Sequence, residues 1–147
     1  MPTPEALANL HAQASLAMPA SRAQVLTRPL SLQLSHLALS CVWNLAGVYL
    51  IRHGLAPLGP TASMATAALL IGVGLLMIIG AKKNVYLYLF CSVLAIAGAG
   101  AAIAGAFFQN PSLWPSDVWR LSGVGLNSLA IIGGFWGFIT LYKAAKK

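Results

Sequence analysis

Residues 62–80 read ASMATAALLIGVGLLMIIG, residues 81–84 AKKN, and residues 85–108 VYLYLFCSVLAIAGAGAAIAGAFF. Two apolar runs flank a short turn that carries Lys82 and Lys83. A bilayer core of about 30 Å needs about 20 helical residues at about 1.5 Å each. Backbone polar groups in hydrocarbon must be satisfied within the segment, so each run is expected to be an α-helix. The pair reads as a transmembrane hairpin held at one end by two lysines.

Composition agrees with that reading. Of 147 residues, 59% are hydrophobic and 7% charged, and the mean hydropathy is +0.79. A soluble domain carries about a quarter charged residues, and this chain has too few to cover a core with a wet surface. The formal net charge is +7. Its basic residues are sparse and sit at helix ends, which suits orientation and contact with anionic lipid rather than nucleic acid.

Outside the hairpin two more spans are expected, at 35–56 and 118–142, alongside 62–80 and 85–108. The fold class is an all-α integral membrane protein with four transmembrane helices in an up-down bundle. Thr61 or Ser63 can cap span two, and Ser116 followed by Asp117 reads as the cap of span four. Gly54, Pro57, Gly59 and Pro60 mark a tight loop after span one. Thr3-Pro4-Glu5 is a helix-start signal, and Leu7, Leu10, Ala14 and Ala17 follow at helical spacing. A short amphipathic helix is therefore expected at 4–16, ending before Pro19, within an N-terminal segment of 1–34. Residues 18–35, with Arg22, Arg28 and several serines but no acid, also have the composition of an organellar transit segment.

Lysines and arginines set the orientation. With the N-terminus inside, that side holds Arg22, Arg28, Lys82, Lys83, Lys143, Lys146 and Lys147, and the other holds Arg52 and Arg120. Seven against two predicts both termini inside. Trp114, Trp119, Tyr86, Tyr88 and Tyr142 fall at the expected interfaces as an aromatic belt. Lys82, Lys83, Lys143, Lys146 and Lys147 are the expected inner lipid contacts.

Helix association in lipid relies on close van der Waals contact, which small residues permit. Span three carries Cys91, Ala95, Gly98, Ala102 and Gly105 at helical spacing. Span four carries Gly123, Asn127, Ala130, Gly134 and Gly137, and span two carries Ala68 and Gly72. Each stripe is expected to be a helix–helix seam. Asn44 and Asn127 are the deepest uncharged polar side chains and should hydrogen-bond between helices.

Chemistry is sparse. Glu5 and Asp117 are the only carboxylates, and neither lies inside a span, which counts against proton-relay and paired-carboxylate mechanisms. His36 and His53 fall near opposite ends of span one and read as interfacial polar anchors; no cofactor or metal is expected. Cys41 and Cys91 each lie about six residues from the inner end of parallel spans, so they should share a depth. Packing is their plainer role. Arg52, His53, Asp117 and Arg120 are expected to cluster at the outer rim, as contacts for a partner or an anionic head group. Phosphate-loop and hydrolase motifs do not occur. The expected function is a small non-catalytic accessory or structural subunit of a larger membrane complex. Its partners would be other membrane subunits and phospholipid, in a bacterial or mitochondrial inner membrane. The alternative is a small homo-oligomeric channel or carrier for a neutral or weakly polar solute.

Overall fold

The computed structural model describes the backbone of residues 4–146 and the side chains of 24–146. It is all-helical: α1 spans Pro4–Arg52, α2 Met64–Lys83, α3 Val85–Phe108 and α4 Asp117–Ala145, with a 3-10 turn at Pro111–Leu113. Four helical stretches are long and apolar enough to cross a membrane, namely Gln24–Arg52, α2, α3 and α4. α1 packs against α2 and α4, and α3 packs against the same two helices.

The hairpin of α2 and α3 turns on one residue. Asn84 ends α2 with its backbone N–H donating to Gly80 O, and its side chain accepts from the N–H groups of Tyr86 and Leu87 to start α3. Both helix termini thereby satisfy orphan backbone groups through one residue, the first by its backbone N–H and the second by its side-chain Oδ1. The sharp reversal requires glycine at position 80. A Cβ there would run into the backbone N of Tyr88 and lie 2.8 Å from its Cα. At the other end of α2, Ser63 is the cap, and its Oγ accepts from Thr66 N at 3.0 Å. Ser116 precedes α4 without a side-chain capping bond, so the helix start there rests on backbone geometry and on Asp117 in the first turn.

α1 departs from expectation. One helix runs from Pro4 to Arg52, so the break before Pro19 is not there, and the helix is already packed into the bundle before residue 35, with Leu26, Pro29 and Gln33 buried. Proline removes one N–H from a helix without forbidding it to continue, provided the surroundings hold the chain. Pro29 shows how: it is buried against neighbouring helices and lacks an N–H that would otherwise reach the carbonyl of Val25. The helix ends at Arg52, short of residue 56, where Gly54 takes a positive φ of 72° that suits glycine. The amphipathic stripe at Leu7, Leu10, Ala14 and Ala17 falls outside the residues whose side chains are described.

The apolar core gathers Leu26 and Leu37 of α1, Met77 and Ala81 of α2, and Cys91 and Ala95 of α3 around Tyr88. The buried faces are phased differently from the expected stripes. On α3 burial falls on Tyr88, Cys91, Ser92, Ala95, Ala99 and Ala106, so Cys91 and Ala95 of the expected stripe are buried while Gly98 and Ala102 are exposed. On α2 it falls on Ala67, Gly74 and Met77, while Ala68 is exposed and a Cβ on Gly72 would meet nothing within 4 Å. Composition alone does not phase a helix in which nearly every position is small. Gly80→Ala is therefore expected to destabilise the protein by about 1–3 kcal/mol, because backbone must move to admit the methyl. Gly72→Ala should be neutral or stabilising by up to about 1 kcal/mol from helix propensity. Thermal unfolding of both variants in detergent micelles, followed by circular dichroism, checks the contrast.

Candidate functional site

A file of polar side chains lies buried on one face of α1: Gln33, His36, Ser40 and Asn44. Steps of three and four residues put them on one side of the helix. Buried amides and hydroxyls are costly unless paired, so their partners decide what the file does.

Gln33 is bonded at both ends of its amide. Its Nε2 donates to the Tyr88 hydroxyl at 3.1 Å, and its Oε1 lies 3.1 Å from the donating Ser92 Oγ. The same Oγ is 2.9 Å from Tyr88 O, one turn back on α3. Two glycines of α4 make room for this knot. A Cβ at Gly133 would come within 2.9 Å of Gln33 Cγ, and one at Gly137 would strike the Tyr88 hydroxyl. Gly134 between them lets Ile96 of α3 approach. Tyr88 itself has no exposed surface. It is thus not an interfacial anchor, unlike Tyr86 and Tyr142, which are exposed.

His36 sits one turn further along α1, and its Nε2 lies 3.4 Å from Asn127 Oδ1 of α4. Asn127 donates its Nδ2 to Gly123 O at 2.8 Å, so the oxygen faces the histidine and Nε2 is the donating nitrogen. Nδ1 is left as a buried acceptor with no partner. The histidine is 4% exposed, and the flanking Leu34 and Leu37 lie against Gly74 near the middle of α2, so it sits deep in the bundle rather than at a helix end.

Asn44 serves the connection between α1 and α2. Its Nδ2 donates to Ser40 O at 2.9 Å and its Oδ1 accepts from Ser63 N at 3.3 Å. Nearby, Gly47 admits Ala62 against α1. Asn44 and Asn127 therefore engage different partners. At this end Trp43 and Trp119 meet edge to face, with ring centroids 5.6 Å apart, and Trp114 closes over Gly59. A Cβ on Gly123 would lie 3.9 Å from Trp43. Ala130, further along α4, has no exposed surface. Gly105 of α3 faces only Gln109 of its own chain end.

The rim residues divide into two groups. Arg120 binds Asp117 at 2.9 Å, three residues back on α4. On α1, His53 lies 2.9 Å from Tyr49 O and stacks near the Tyr49 ring, exposed beside Arg52. Since Trp43 meets Trp119, Arg52 lies nine residues, about 13 Å, beyond that level along α1. The expected cluster of Arg52, His53, Asp117 and Arg120 is therefore split by the overshoot of α1.

Cys41 and Cys91 are free thiols. They do not share a depth. Ser92, next to Cys91, is level with Gln33, and Gln33 precedes Cys41 by eight residues, about 12 Å. Cys41 Sγ is instead 3.9 Å from Ala67 O of α2. Lys82, Lys83, Lys143 and Lys146 are exposed, the last with its Nζ 4.5 Å from the centre of the Tyr142 ring. Lys147 lies outside the described residues. No three His, Cys, Asp or Glu side chains gather among the described residues. No known protein family, curated protein or solved structure matches the chain.

Sequence does not mark Gln33 or Ser92, and it marks Tyr88 as an interfacial aromatic rather than a buried one. A glutamine one turn before a histidine and one turn after a proline, in a helix rich in leucine, is the signal that marks the inward face. Gln33→Leu and Tyr88→Phe should each destabilise the protein. A double-mutant cycle is expected to give a coupling of about 0.6–2 kcal/mol between them, the usual range for a hydrogen bond between membrane helices. Chemical denaturation in micelles measures it, and additive losses would mean that the two side chains do not act together.

Proposed function

We propose that this chain is a small non-catalytic accessory or structural subunit of a larger membrane protein complex. In this reading the four apolar helices cross the membrane as an up-down bundle with both termini inside. The observation that supports it is the mutual engagement of the buried polar side chains. Gln33, Tyr88 and Ser92 bond to one another, and Asn44 bonds to the backbone on either side of a loop. Groups so paired hold helices in register and offer nothing to a substrate. The outward faces are apolar, and on α3 Gly98 and Ala102 form a smooth exposed surface that another helix can approach closely. A bacterial or mitochondrial inner membrane is the proposed location.

Two measurements test this. Affinity-tagged full-length protein extracted in mild detergent is expected to bring other membrane subunits with it. Gly98→Leu should shift it to a smaller species on native gels while leaving its thermal stability within about 1 kcal/mol, as for an exposed site. Recovery of a lone monomer in mild detergent would count against the subunit reading. For the topology, single cysteines at positions 83 and 146 in a cysteine-free background should react with impermeant thiol reagents from the same side of the membrane. One at position 55 should react from the other.

One observation favours the second reading, a homo-oligomeric path for a small polar solute. The Nδ1 of His36 is a buried acceptor without a partner, beside Asn127. Uptake into proteoliposomes that is abolished by Asn127→Leu would select that reading.

A further inference from the structure

Between α1 and the end of α2 runs an open groove of about 660 Å3. One wall is a face of α1, with Thr27, Ser31 and Ser35 alternating with Leu30, Leu34 and Ala38, and the other is Ala81 and Lys82. Its axis can be read from the packing. Gly74 of α2 lies against Leu34 and Leu37 of α1. Lys82 follows Gly74 by eight residues in the antiparallel helix, which places it level with Thr27. Gln24 lines the mouth one turn beyond Thr27, and from Thr27, level with Lys82, inward to Ala38 is eleven residues, about 16 Å at about 1.5 Å each. That is half of a bilayer core of about 30 Å.

We propose that this groove binds one anionic phospholipid, its phosphate beside Lys82 and Thr27 and an acyl chain along Leu30, Leu34 and Ala38. The inference rests on the reading of the chain as membrane-spanning. Charge decides the occupant. Lys82 is exposed, and the one carboxylate among the described residues, Asp117, binds Arg120 at the far end of α4. Asp117 is twenty residues, about 30 Å, from Gly137, which meets Tyr88 near the Lys82 end. Among the described residues, the cation at the mouth therefore meets no side-chain carboxylate. The hydroxyls of Ser31 and Ser35 offer donors to phosphate and ester oxygens just below it. The groove spans one leaflet in depth, with a cation at its watery end and leucines further in, as a lipid of that leaflet requires.

Native mass spectrometry of the full-length protein tests this, in micelles containing equimolar phosphatidylglycerol and phosphatidylcholine of matched chains. The wild type is expected to retain one phosphatidylglycerol in preference by about fivefold, the weight of one lysine beside an anionic lipid. Lys82→Gln should bring the ratio to about one. Ala38→Trp, which fills the exposed groove, should lose the lipid while keeping its helical circular dichroism. Lys143→Gln, outside the groove, should keep the preference. Equal loss in Lys82→Gln and Lys143→Gln would overturn the site in favour of diffuse attraction to a basic surface. So would an unchanged ratio in Lys82→Gln, or displacement of the lipid by inorganic phosphate alone. If Ala38→Trp releases partner subunits but leaves the lipid ratio unaltered, the groove holds a protein helix and the proposal fails. The readout needs no partner: a chain that brings no other subunit in mild detergent but keeps its lipid preference counts against the subunit reading and leaves this one standing, and a chain that brings partners but shows no preference overturns this one alone.

Discussion

Tyr88 is where all four helices meet. Its backbone leaves no room for a side chain at Gly80 of α2, and its hydroxyl occupies the space above Gly137 of α4. That hydroxyl also accepts from Gln33 of α1, while its carbonyl receives the hydroxyl of Ser92 on its own helix α3. Each of these constraints is weak alone, since a hydrogen bond between membrane helices contributes about 0.6–2 kcal/mol. Together they fix the rotation of three helices about their axes and the height of α1 against α3. Glycine at 80, 133 and 137 is the steric condition for the knot to close, because a side chain at any of them would occupy atoms of Tyr88 or Gln33.

The height of α1 is the constraint with the longest reach. Hydropathy placed the start of span one at residue 35, because Gln24, Arg28, Pro29, Ser31 and Gln33 look like the approach to a membrane rather than part of a packed helix. Packing has the opposite logic. Leu26, Pro29 and Gln33 are among the most deeply buried side chains, so the polar-looking turns are the inward face and contribute to the core. Once α1 is slid by that length toward its own C-terminal end, several expectations change together. His36 moves from a span end to the middle. Cys41 rises away from Cys91. Arg52 and His53 pass above the pair of Asp117 and Arg120. These are one error of register, and its cause is that a hydropathy window averages around a helix while burial follows one side of it.

The remaining features were legible to different degrees for physical reasons. The presence of four long apolar helices, the bounds of α3, and the turn at 82–84 follow from length, hydrophobicity and a polar interruption, which do not depend on neighbours. The positions Gly134 and Gly137 stood out because α4 otherwise carries large residues, so a small stripe is informative there. In α3 the run AIAGAGAAIAGA offers a stripe at almost any phase. Ser92 sets that phase through Gln33, which moves the buried line from Gly98 and Ala102 to Ala99 and Ala106. Tyr86 and Tyr88 were indistinguishable as aromatics near a span end. Two residues apart on a helix they differ by about 200° in direction, so one must face outward when the other faces in. Tyr86 is 79% exposed and Tyr88 not at all.

The pairing of the interior also bears on the choice between holding and conducting. A path for a polar solute needs groups that exchange partners with what passes, and therefore groups whose partners are water or each other only loosely. Gln33 is bonded at both amide atoms, and glycine contacts close the space beside it. Asn44 is bonded at both atoms as well, to the backbone of two elements. Breaking either would strand a buried polar group at a cost of about 1–3 kcal/mol, which favours one fixed arrangement over a working cycle. His36 is the one place in this file where an acceptor stays unmatched, and its neighbour Asn127 already gives its own proton donor to Gly123. A single open acceptor between two closed knots is not a continuous polar path. This pairing of the interior is what supports the proposed structural role over the proposed path, since the groups that hold the helices in register are not available to a passing solute.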